Sequence, residues 1–102
     1  MSRVARRVPT LNEILEVLES YITWLDEIYA HWRCGITSDP QSAERESRSV
    51  GTDWRCLDAG SELNARQIEI LLRRMGCQAV PHPGGVDTCF IYVYRILSGG
   101  VR

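Results

Sequence analysis

The sequence predicts an α+β domain: one long amphipathic helix, a shorter second helix, and a small antiparallel sheet built chiefly from a C-terminal hairpin. Three observations carry this. Residues 11–32 keep their apolar side chains in one half of a helical wheel, residues 64–75 repeat that pattern over a shorter stretch, and residues 88–97 alternate like a strand. With 102 residues the chain is expected to form a single domain, residues 1–102. A chain of this size buries about 65% of its unfolded surface, enough for a core without staples.

The first helix begins after Thr10, which with Glu13 forms a capping box in which each side chain satisfies the other residue's backbone N–H. Leu11, Ile14, Leu15, Val17, Leu18, Tyr21, Ile22, Trp24, Leu25 and, further along, Ile28, Tyr29 and Trp32 lie on its apolar half. Asn12, Glu13, Glu16, Glu19, Ser20, Thr23, Asp26, Glu27 and His31 occupy the opposite half. An apolar arc near 180° is wider than the ~100° stripe that one small sheet covers, so a further helix or a second subunit is expected against it.

Residues 35–51 are polar and read either as a long loop or as a short helix over 41–48, with Asp39 as cap and Pro40 at the first position. Residues 52–57 form a weak strand candidate with Trp54 and Cys56 on one face. The second helix starts from Ser61 or Asn64, both good caps, and ends at Gly76. Ala65, Ile68, Leu71, Leu72 and Met75 share its inner face; Arg66, Ile70, Arg73 and Arg74 share the other.

The last third reads as a hairpin: a short strand over 77–80, a turn at His82-Pro83-Gly84-Gly85, and a strand over 88–97. Cys89, Ile91, Val93 and Leu97 lie on one face of that strand. Phe90, Tyr92, Tyr94 and Ile96 lie on the other, so both faces are expected to be covered. Residues 1–9 form a basic arm and residues 98–102 a glycine-rich tail.

The charge balance narrows the function. Twelve basic residues, all arginine, against 13 acids leave a net charge of −1, which excludes a protein that is basic all over. The total nevertheless hides a division, with acids concentrated in residues 13–27 and arginines in 3–7 and 66–74. No secretory leader and no apolar run long enough for a membrane span is visible, so a cytoplasmic location and four free thiols (Cys34, Cys56, Cys77, Cys89) are expected.

No cofactor and no metal is expected. Zinc wants ligands in close pairs, and only His31-x-x-Cys34 has that spacing; Cys77, His82 and Cys89 do not complete a second pair. Catalytic motifs such as GxSxG, HExxH or a Walker loop are missing. An enzyme would have to assemble Cys34 or Cys77 with His31 or His82, or use Asp53 or Asp58 as acid or base.

The leading expectation is a non-enzymatic binding or assembly module. Its half-apolar helix and doubly apolar strand exceed what one small chain hides, which points to a homodimer with a protein partner or a small apolar ligand. Tyr92, Tyr94, Phe90 and Trp54 mark the expected interface or pocket, and Ile70 among arginines marks a second contact.

The order of elements over residues 64–97, a helix followed by a hairpin, resembles the second half of a winged-helix domain. This resemblance implies a DNA-binding regulator as the alternative, its helix in the major groove. Arg66, Arg73 and Arg74 would lie on the exposed side of that helix, and Arg3, Arg6 and Arg7 would act as an arm on phosphates or in the minor groove. Glu62 with Arg66 and Glu69 with Arg73 stand at i,i+4, where the competing role is a pair on the helix surface.

Overall fold

A computed structural model describes residues 9–81 and 88–96. Three helices pack on a four-stranded mixed sheet, an α+β fold. Along the chain these are α1 (Leu11–Leu25), β1 (Trp32–Thr37), α2 (Pro40–Arg48), β2 (Gly51–Asp58), α3 (Glu62–Met75), β3 (Gln78–Ala79) and β4 (Phe90–Ile96). The spatial strand order is β2-β4-β1-β3, with β4 antiparallel to both β1 and β2, and β3 parallel to β1.

α1 starts as expected. Thr10 Oγ1 accepts from the Glu13 N–H at 3.1 Å, and Glu13 returns the bond to the Thr10 N–H at 2.9 Å. Its end is a correction: the helix stops at Leu25, not at Trp32. Asp26 is in extended conformation and its side chain competes for the backbone. One carboxylate oxygen accepts from the Ile28 N–H at 3.1 Å, the other meets His31 Nδ1 at 2.7 Å, and the Asp26 carbonyl accepts from Trp32 Nε1 at 2.8 Å. After a 3₁₀ turn at Tyr29–His31, Trp32 opens a strand and is fully buried there.

That strand rearranges the predicted sheet. β4 takes β1 and β2 as its two neighbours, so residues 77–80 do not form a hairpin with it. They pair instead on the far side of β1, with Arg33 opposite Gln78 and Cys34 opposite Ala79. The predicted turn at 82–85, the arm at 1–8 and the tail at 98–102 lie outside the described residues.

α1 and α3 cover one sheet face. Ile14, Leu18 and Ile22 of α1 meet Ala65, Ile68 and Leu72 of α3 over Trp32, Cys34, Ile36, Ile91 and Val93. The other face is closed by α2, which resolves the 35–51 segment in favour of a helix. Asp39 caps it by accepting from the Ser42 N–H at 3.2 Å, with Pro40 at its first position. Ala43 and Ser47, one turn apart and both buried, face the sheet; Ala43 packs with Tyr92 and Tyr94. Close approach is possible because Gly35 lies opposite Tyr92 in the ladder. A Cβ there would stand 2.5 Å from the tyrosine oxygen.

β2 is an edge strand with an irregularity between Thr52 and Arg55, where Asp53 takes a left-handed φ of 60°. Aspartate tolerates that region. The kink aims its carboxylate at Arg95 of β4, 2.6 Å away, and Arg95 also donates to the Leu25 carbonyl at 3.4 Å. A cation at the C-terminal end of α1 suits the helix dipole and ties helix to sheet.

Candidate functional site

The Tyr92 and Tyr94 face belongs to the interior. Tyr92 is 6% and Tyr94 4% exposed beneath α2. Their rings stack at 6.4 Å, and Trp54 lies over Tyr92 at 4.8 Å, a cluster held by aromatic packing. Burial and the neighbouring Tyr94 push the Tyr92 hydroxyl up to about 12. Phe90 is half-buried at the start of β4, between Thr37 and Asp58. The face expected to serve as an interface or ligand pocket is therefore covered within one chain, by α2. The sequence signal for its cover was faint: two small residues, Ala43 and Ser47, at i,i+4 in an otherwise polar stretch.

The remaining predicted positions separate into two groups. Ile70, Arg73 and Arg74 converge; Arg66 sits higher on α3, bound to Glu62 at 2.7 Å as the i,i+4 spacing predicts. Arg3, Arg6 and Arg7 lie outside the described residues. Since β3 and β4 form no hairpin, the helix-plus-wing arrangement that motivated the DNA-binding alternative is not present in the described sheet.

Ile70, Arg73 and Arg74 form one wall of a cleft of about 540 Å³ whose other wall is Cys77, Gln78 and Ala79. Local backbone geometry builds it. Gly76, at φ 125°, turns the chain sharply out of α3, with its N–H on the Arg73 carbonyl and the Cys77 N–H on the Leu72 carbonyl. This closure of a helix end needs a residue free to take positive φ. Cys77 then points into the core and β3 runs along β1. A second, more apolar hollow of about 260 Å³ adjoins the first through Ile70 and Arg74 and reaches Leu11 of α1.

Cys77 has a neighbour that spacing did not reveal. It shares the core cluster with Cys34 of β1, whose Sγ donates to the Glu69 carbonyl at 4.0 Å. The neighbouring Cys77 and burial push the Cys34 thiol well above the usual cysteine range. On the opposite sheet face, burial pushes Cys56 up to about 11.

The acid–base candidates have other partners. His31 engages Asp26 rather than Cys34, and the hydrogen bond from His31 is the main reason the Asp26 carboxyl is held below its usual value. Asp53 meets Arg95, and Asp58 accepts from the Gly60 N–H at 2.8 Å. His82 lies outside the described residues, among which no three His, Cys, Asp or Glu side chains converge as a metal site would require. No described helix is long and apolar enough to cross a membrane.

Comparison with protein-family models, with curated proteins and with solved structures found no match.

Proposed function

We propose that the chain is a non-enzymatic binding and assembly module that associates with a second copy of itself through the outer face of its α1–α3 layer. The observation that carries this reading is the self-complementary character of that face. α1 presents Glu16, Ser20 and Thr23 to solvent, with Glu27 just past its end, and α3 presents Arg66, Arg73 and Arg74. Exposed apolar groups stand among these charges: Trp24 at 79% and Leu63 at 64%, with Ile70 beside the arginines.

A two-fold axis over the layer brings the acidic helix of each copy onto the arginine-bearing helix of the other. Such a contact is isologous and closes at two copies, whereas a head-to-tail contact does not close. Arginine suits the role because its planar fork binds carboxylates bidentately. The tyrosine face does not compete for this role, because α2 already buries it.

Sedimentation equilibrium tests the reading. The expected mass is about twice that of the chain, with dissociation strengthened by salt as exposed charge pairs are screened. Reversing Arg73 and Arg74 to Glu should weaken association by about tenfold or more, about 1.4 kcal/mol. Reversing Glu16 and Glu27 to Arg should do the same. Combining both sets in one chain restores complementarity and should restore the dimer. A monomeric wild-type mass at high micromolar concentration overturns the proposal.

A further inference from the structure

The two adjoining hollows beside α3 differ in chemistry along their length. Toward α1 the lining is aliphatic, with Leu11, Ile70 and Leu71. Toward β3 the space opens into the larger cleft, where Arg73 and Arg74 stand across from Gln78 and Ala79. We propose that the two hollows together bind a single-chain alkyl carboxylate, its tail along Leu11, Ile70 and Leu71 and its carboxylate at Arg73 and Arg74.

The head group follows from charge. Arg48, Arg66 and Arg95 are engaged with Glu44, Glu62 and Asp53. Arg73 and Arg74 are exposed and have no ion-pair partner among the described residues, and no described acid lines either hollow. A guanidinium fork takes a planar carboxylate through two parallel hydrogen bonds. The carbonyls at this helix end are already occupied: that of Arg73 accepts from the Gly76 N–H at 3.0 Å and that of Leu72 from the Cys77 N–H at 3.1 Å. β3 adds a donor. The Val80 N–H is bonded to the Cys34 carbonyl of β1 at 2.8 Å, so strand alternation turns the Ala79 N–H to the free edge of the sheet. Pro81 has no N–H with which to continue a ladder, so this edge is poorly suited to an added peptide strand.

The tail follows from size and lining. The cleft of about 540 Å³ lies within the range of ~300–1,000 Å³ typical of small-molecule sites. The aliphatic hollow, about 260 Å³, falls below that range and suits one slim chain better than a ring system. The capping box of Thr10 and Glu13 fixes the turn that carries Leu11. Each methylene fully removed from water is worth about fourfold in affinity. All these contacts come from one chain, so the site does not rest on self-association; in a dimer the carboxylate competes with the acids of the second copy for the same arginines.

The probe is decanoate at neutral pH, titrated into the full chain at a concentration dilute enough to give a single-chain mass and followed by amide chemical shifts. One saturable site is expected, with the largest shifts at Ile70, Leu71, Arg74 and Ala79. Octanoate, shorter by two methylenes, should bind about tenfold more weakly. Decyltrimethylammonium, which has the same chain and the opposite charge, should not bind there. Arg73→Gln combined with Arg74→Gln should weaken decanoate binding about tenfold. The proposal is overturned by a lack of saturable decanoate binding, by affinity independent of chain length, by equal binding of the cation, or by shifts centred elsewhere, such as at Trp24. The wild-type titrations need no variant to fold. A single-chain mass at every concentration would remove the dimer and leave this site standing.

Discussion

At the residue scale, two side-chain environments make sharp predictions. Gly35 has no room for a methyl group, since both the oxygen and the ring carbon bearing it on Tyr92 would lie within 2.6 Å of a Cβ. Tyr92 cannot retreat, being packed between Trp54, Tyr94 and Ala43. Gly35→Ala should therefore lower unfolding free energy by about 1–3 kcal/mol, read as a reduced urea midpoint at unchanged slope. Asp26 governs a different axis. His31 and the Ile28 N–H hold its carboxyl below the ordinary value of 3.8, so the folded state binds that proton more weakly than the unfolded chain. Its contribution is present above pH 3.8 and is lost as pH falls through the lower folded value. Asp26→Asn should flatten the dependence of the melting temperature on pH in that acidic range. An unchanged slope there would show that other carboxylates govern the acid limb.

At the scale of elements, α2 is the piece on which the architecture turns. It is short and mostly polar, yet it covers Tyr92 and Tyr94 through Ala43 and a buried Ser47. Ala43→Glu places an unpaired carboxylate against the tyrosines, which must be buried at a cost or push the helix away. The expected loss is roughly 3 kcal/mol. A red shift of tryptophan emission should accompany it as Trp54 becomes wet, and stability equal to wild type would mean that α2 is not the cover. α1 shows why local pattern is a partial guide. Its capping box was legible because all its parts lie within four residues. Its end was not, because Ile28, Tyr29 and Trp32 happen to continue the 3.6-residue period beyond the point where Asp26 breaks the helix. The alternation of Trp32, Cys34 and Ile36 on the core face is a strand signal in the same stretch, overlaid by the helical one.

At the scale of the whole molecule, the arrangement divides the surface by charge. α1 and α3 share one layer, in which α1 carries acids and α3 carries exposed arginines. Net charge reports nothing of this, since opposite regions cancel in the sum. The charge-reversal series belongs to this scale because its informative member is the recombined variant: two changes that each disrupt should together restore. Independent damage to two helices would add instead of cancelling. The shared core position of two cysteines is also a product of the whole fold. Cys34 and Cys77 enter one core cluster only because β3 docks in parallel beside β1, a pairing between segments distant in sequence.

The amino-acid sequence by itself determined the α+β class, the helix start at Thr10, the exit at Gly76, a strand over 88–97 with both faces covered, and a weaker strand over 52–57; it offered Ser61 or Asn64 as the second helix's cap and a loop or an Asp39-capped helix over 35–51. Each depends on contacts within a few residues or on a single period, and such information is local. Tertiary structure alone decided which strand lies beside which, what covers the tyrosines, and which cysteines share the core. Those outcomes depend on competition between distant segments for the same hydrogen-bonding edges and the same apolar surface. Here β1 won both edges that the predicted hairpin would have used, placing β3 beside β1 and Ala79 beside Cys34.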